Sequence, residues 1–150
     1  MEIQKEIQNA KFVDNYQKVS VNLIFTYNWL NSMIKGELGK SKITPQQFNI
    51  LRILRGQHPK PATINIIKER MLDKMSDASR IVDRLVSKEL VTRTVCERDR
   101  RAVDIVISDK GLRLLAGVKL EEAMTKKFKK NISEEQASQL SDLLDAFRGY

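Results

Sequence analysis

A mainly α-helical fold carrying one small β-wing is what this sequence predicts, and three observations predict it. Apolar residues recur at spacings of three and four over most of the chain. Two helix-start signatures stand out: Thr44-Pro45 with Gln47, and Ser133 with Gln136. Two short β-rich runs, LVTRTV (Leu90 to Val95) and AVDIVI (Ala102 to Ile107), flank the charged hexapeptide CERDRR. At 150 residues the chain suits one compact domain, or one domain with an extension.

The first 40 residues read as helix. Ile3, Ile7, Ala10, Val13 and Tyr16 form one apolar series, and Leu23, Tyr27, Leu30, Ile34 and Leu38 a second. The spacing leaves open one helix or two with a bend near Lys18–Ser20, and Gly36 and Gly39 mark where the region stops. A new helix starts at Thr44, a side chain able to cap, with Pro45 at the first helical position. Phe48, Leu51 and Leu54 line its inner face as far as Gly56. The break QHPKP follows, then a short helix in ATINIIKERM with Ile64, Ile67 and Met71 inward. SDASRIVDRLVSKEL is the next helix. Ser76 can accept from amides of its first turn, and Asp77 suits the positive helix end. Ala78, Ile81, Val82 and Leu85 make its apolar stripe, so Ser79, Arg80, Asp83 and Arg84 lie off it. After the β runs, Ser108 and Asp109 open a loosely periodic helix with Leu112, Leu115, Val118, Met124 and Phe128. The Ser133 capping box starts the last one, lined by Leu140, Leu143, Leu144 and Phe147.

Composition narrows the function classes. One cysteine permits no intrachain disulfide and no cysteine-based metal site, and a single histidine leaves little for zinc or for nucleophilic catalysis. Neither a metal nor any other cofactor is expected. That histidine, His58, sits in a Pro-flanked turn and reads as a surface residue. No phosphate-cradling glycine loop and no nucleophile elbow is present, so no enzyme is expected. The N-terminus has no apolar core run and no stretch nears the ~20 apolar residues of a membrane span, so a cytoplasmic protein is expected.

The formal charge of +8 points to an anionic partner, nucleic acid first. Between Leu51 and Arg101 stand 13 Lys or Arg and 7 Asp or Glu, so six of the eight excess charges fall in this third of the chain. Short helix, turn, second helix, then a two-stranded ribbon with a basic tip is the order of a winged helix-turn-helix. In that arrangement the second helix enters the DNA major groove with its N-terminal residues at base edges. Ser76, Asp77, Ser79 and Arg80 take that position, with Arg84 further along, and Arg80 can fork onto guanine. Arg98, Arg100 and Arg101 at the ribbon tip can enter a narrow minor groove. Asp99 is expected to orient a neighbouring arginine, because a lone carboxylate repels phosphate. Arg93 and Arg98 would favour a thiolate at Cys96, although a plain loop cysteine is the simpler reading. The alternative function is a winged-helix interaction module that docks its basic face on an acidic protein.

From Ile43 to about Leu115 the chain resembles the MarR family of bacterial transcription regulators. Asp99-Arg100-Arg101, five intervening residues, Ile107-Ser108 and then Gly111 are similar to that family's DRR wing followed by Leu-Thr-x-x-Gly. SDASRIVDRLVSKELV resembles its recognition helix and the turn into the wing, with Glu89 where the family usually has glycine. The resemblance implies a homodimer in which residues 1–40 and 109–150 form a helical dimerisation region and 41–108 the DNA-binding lobe. It further implies a sequence-specific regulator of double-stranded DNA, most often a repressor, on a pseudo-palindromic operator. Small aromatic or phenolic effectors are also implied, and Tyr16, Phe25, Tyr27, Trp29 and Met33 stand in plausible places for either a pocket or a dimer core.

Overall fold

The structure, a computed structural model, describes residues 2–8, 11–95 and 103–150. In the described residues the helices are α1 (Ile3–Glu6), α2 (Asn15–Gly39), α3 (Pro45–Gln57), α4 (Ile64–Arg70) and α5 (Ala78–Ser87), followed after the ribbon by α6 (Asp109–Gly117), α7 (Leu120–Phe128) and α8 (Glu134–Phe147). The ribbon is β1 (Val91–Val95) paired antiparallel with β2 (Val103–Ile107), in register from Val91 opposite Ile107 to Val95 opposite Val103. The mainly helical fold with a β-wing is therefore the observed one.

Local chemistry accounts for most boundaries. The Thr44 hydroxyl accepts from the Gln47 amide at 3.2 Å while Gln47 Oε1 accepts from the Thr44 amide at 3.1 Å. The Ser133–Gln136 pair repeats this reciprocal box at the start of α8. Among the described residues the N-terminal region holds two helices, and α2 starts at Asn15 with no break near Lys18–Ser20. Asp14 sets that start by accepting from the Gln17 amide at 2.7 Å, and the helix runs unbroken from there to Gly39. The helix expected from Ser108 onward is also two. Gly117 ends α6 and Val118–Lys119 separate it from α7, a site where neither glycine nor a β-branched residue favours helix.

The chain divides into two compact units, residues 1–115 and 116–150. In the first, α3 is the central helix, packed against α2, α4, α5 and β2. Ile50, Leu51 and Leu54 of α3, Ile67 of α4, Ala78, Val82 and Leu85 of α5 and Ile105 of β2 are all buried. Ile50 takes the inner position expected of Phe48, which is half-buried beneath the Arg52 guanidinium. Ala62 makes a two-way antiparallel bridge with Ile105, N to O at 2.9 and 3.0 Å, and so gives the wing a third rung. In the second unit α8 buries none of its side chains.

Candidate nucleic-acid interface

The candidate interface is built from α4, the turn after it, α5 and the ribbon. Thr63 caps α4 through the Ile66 amide at 3.3 Å, and Ile67 and Met71 seat the helix on the core. Several bonds then tie the following turn. The Leu72 amide donates to Asn49 Oδ1 at 3.0 Å, anchoring the turn to α3. Asp73 accepts from the Met75 amide at 3.1 Å and from the Ser76 hydroxyl at 2.7 Å. These bonds, the Ser76 hydroxyl first, hold the Asp73 carboxyl below its ordinary range. Lys74 Nζ donates to the Glu69 carbonyl at 2.5 Å, placing a cation on the open C-terminal end of α4.

The cap of α5 sits one residue later than Ser76. Asp77 accepts from the Arg80 amide at 3.1 Å, while the Ser76 hydroxyl is turned back to donate to Asp73. Ala78, Val82 and Leu85 face inward, Ser79 and Ile81 are half-buried, and Arg80, Asp83 and Arg84 face solvent. Arg93 of β1 bridges Asp83 at 2.7 Å, so the one acidic side chain of α5 is neutralised from the wing. Among the described residues Arg80 and Arg84 have no ion-pair partner. This face of α5 is left cationic, with its positive helix end toward the turn. Arg98, Arg100, Arg101, Asp99 and Cys96 lie outside the described residues; the ribbon that carries them is in place up to Val95 and from Val103. His58 is exposed, as expected.

The far end of α5 gives the Ile107-Ser108-x-x-Gly111 motif its physical content. The Ser108 hydroxyl donates to the Glu89 carbonyl at 2.7 Å and accepts from the Gly111 amide at 3.0 Å. The Ser108 amide donates to the Leu90 carbonyl at 3.0 Å. A Cβ on Gly111 would stand 2.3 Å from that same carbonyl oxygen, so glycine is required by contact and not by conformation. Glu89, in the position where glycine is usual, has φ +60, the left-handed region that glycine adopts most cheaply. Its carboxylate meets Lys110 Nζ at 2.5 Å, and that ammonium lowers its pKa.

A cavity of about 480 Å³ opens between α2, α3 and the turn before α5. Tyr27, Leu30 and Ile34 form one wall, Asn49 another, and Met71 and Asp73 the side toward α5. Of the five residues singled out for a pocket or a dimer core, Tyr27 lines it and is, like Tyr16, Phe25 and Trp29, exposed; Met33 is half-buried and does not line it. Among the described residues no cluster of His, Cys, Asp or Glu is placed to hold a metal ion, and no helix is long and apolar enough to cross a membrane.

The MarR family model matches residues 43–103, from the residue before the Thr44 cap of α3 to the first residue of β2. The uncharacterized HTH-type transcriptional regulator YpoP of Bacillus subtilis (strain 168) is 30% identical over 120 residues, 80% of this chain and 79% of its own length. This chain belongs to the MarR family. The HTH-type transcriptional repressor MdtR of the same organism is 34% identical over 85 residues, 57% of this chain; the match spans only half of MdtR's own length. The S. aureus MepR–DNA complex shares the fold, with a TM-score of 0.77 at 20% identity over 91% of this chain and 97% of that one.

The family's winged helix-turn-helix thus carries the site, and sequence reasoning missed three of its supports. The spacing of Asp73 and Ser76, three apart beside a helix start, was a readable signal for the turn clamp. The Asp83–Arg93 bridge and the Asn49 anchor join residues distant in sequence, and no local pattern reveals them.

Proposed function

We propose that this MarR-family protein is a homodimeric, sequence-specific binder of double-stranded DNA and acts as a repressor released by a small aromatic ligand. The observation that carries the DNA reading is the cationic face of α5, where Arg80 and Arg84 have no ion-pair partner among the described residues and Asp83 is already paired with Arg93. Arg80, one turn into the helix, takes the base-reading position, with Ser79 beside it. Ser76 and Asp77 act at one remove, holding the N-terminus of α5 where it can face a phosphate. Arg84 contacts backbone phosphate. Arg98, Arg100 and Arg101 take the minor groove, with Asp99 orienting them.

The dimer reading is supported by apolar surface that each unit leaves uncovered. Of the 25 residues of α2, only Leu38 is buried, while Ile24, Phe25, Tyr27 and Trp29 are exposed. In α8, Leu140, Leu143 and Phe147 are exposed. Residues 1–40 and 109–150 are the dimerisation region in this reading, and 41–108 the DNA-binding lobe. Two-fold symmetry then places the two α5 helices about one DNA turn apart, ~34 Å. The ligand reading is supported by the mainly apolar cavity behind Tyr27, whose Asp73 wall is part of the turn that positions α5. Occupancy that displaces Asp73 shifts the population of DNA-competent lobes.

Selecting bound duplexes from a random pool tests the whole reading. A pseudo-palindrome with half-sites one turn apart is expected. Retention without any sequence preference would reduce the protein to a nonspecific cation.

A further inference from the structure

Met75 is 94% exposed, the most exposed large apolar side chain among the described residues. One exposed apolar residue needs no explanation by itself. The setting of this one does. Its own amide is held by Asp73, the next residue donates its hydroxyl to Asp73, and the residue before it is drawn back onto α4 through Lys74. The turn therefore has little freedom to fold the thioether back onto the protein. Leu72, exposed on the same turn, borders the cavity; Met75 does not.

Met75 stands two residues before the cap Asp77, at the end of α5 from which a recognition helix meets base edges. Methionine is unbranched and polarizable, and adapts its shape to an apolar partner. The apolar group that a major groove offers is the C5-methyl of thymine, which none of the other three bases carries. We infer that Met75 is a specificity-determining residue that reads a thymine methyl in each half-site. This inference rests on the proposed DNA reading. It adds an apolar contact to the guanine contact of Arg80, so each half-site is to contain both a thymine and a guanine.

The test uses the duplex that the full-length protein selects from a random pool, with each thymine replaced in turn by uracil, which lacks only the methyl. At one thymine per half-site the replacement should weaken binding by wild type about fourfold, the worth of one buried methyl-sized group. Met75→Ala should bind the thymine and uracil duplexes equally, and Met75→Leu should keep most of the discrimination. If every uracil duplex binds wild type as tightly as its parent, the inference falls while the DNA reading stands. Uracil sensitivity that persists undiminished in Met75→Ala also overturns it, assigning the methyl to another residue. If wild type selects no sequence at all, the DNA reading and this inference fall together.

Discussion

The core around α3 and the surfaces of α2 and α8 obey opposite rules. Around α3, apolar residues at helical spacing are buried within the chain itself: Leu51, Leu54, Val82 and Leu85 are each 1% exposed or less. Along α2 and α8 the same kind of spacing leaves Phe25, Trp29, Leu140 and Leu143 in solvent. The difference teaches that periodicity reports a helix with one apolar face, but not who covers that face. In one region the chain covers it; in the other a second copy is proposed to.

Mutations separate the two regimes. Leu54→Ala should cost about 3 kcal/mol in denaturant unfolding, by lost transfer energy and a residual cavity, and the cost should not depend on protein concentration. Phe25→Ala should instead weaken self-association, lowering the unfolding midpoint most in dilute protein. Equal effects at every concentration would place Phe25 in a monomeric core and break the comparison. Gly111→Ala is the next largest, at about 2 kcal/mol, because its Cβ meets the Leu90 carbonyl and either α6 or the ribbon must shift. A neutral result would mean that this approach relaxes without cost.

Glu89→Gly has the opposite sign and is smaller. It relieves the left-handed backbone, loses an exposed pair with Lys110, and makes the unfolded chain more flexible. The expected result is a rise of roughly 2 °C in thermal midpoint. Asp73 gives the smallest effect. Its folded-state pKa is depressed below 3.8, so the stability that it contributes is present above that value and lost as pH falls through the lower folded value. Asp73→Asn should remove that part of the acid sensitivity while leaving the slope between pH ~5 and ~7 unchanged. An unchanged acid limb would show that the clamp does not differ between folded and unfolded chains.

What could be read from residues alone follows from the same distinction. Both capping boxes, the ribbon and the inward face of α5 were legible because each depends on neighbours within four residues, or on strict alternation. The breaks at Asp14 and Val118 were not. The apolar series runs on through them, and a cap or a missing turn outweighs it. The Ser76 cap was displaced by one residue for a similar reason. Two candidate hydroxyl or carboxyl acceptors stood side by side; the cap is Asp77, and the Ser76 hydroxyl is turned back onto Asp73. The Ala62–Ile105 bridge joins residues 43 apart in the chain, and the Pro61 break gave no sign of an extended partner. Of the DNA-facing set, Arg80 and Arg84 lie where the stripe of α5 put them, whereas the wing arginines lie outside the described residues.

Arg80→Ala on the selected duplex tests the central claim, that the exposed face of α5 reads bases. Affinity should be measured at fixed salt for that duplex and for a scrambled one of equal length. The expected result is a loss of about 1–3 kcal/mol on the selected duplex, little change on the scrambled one, and relaxed preference at one base pair per half-site. Equal losses on both duplexes would make Arg80 a phosphate contact, and no loss on either would remove α5 from the interface.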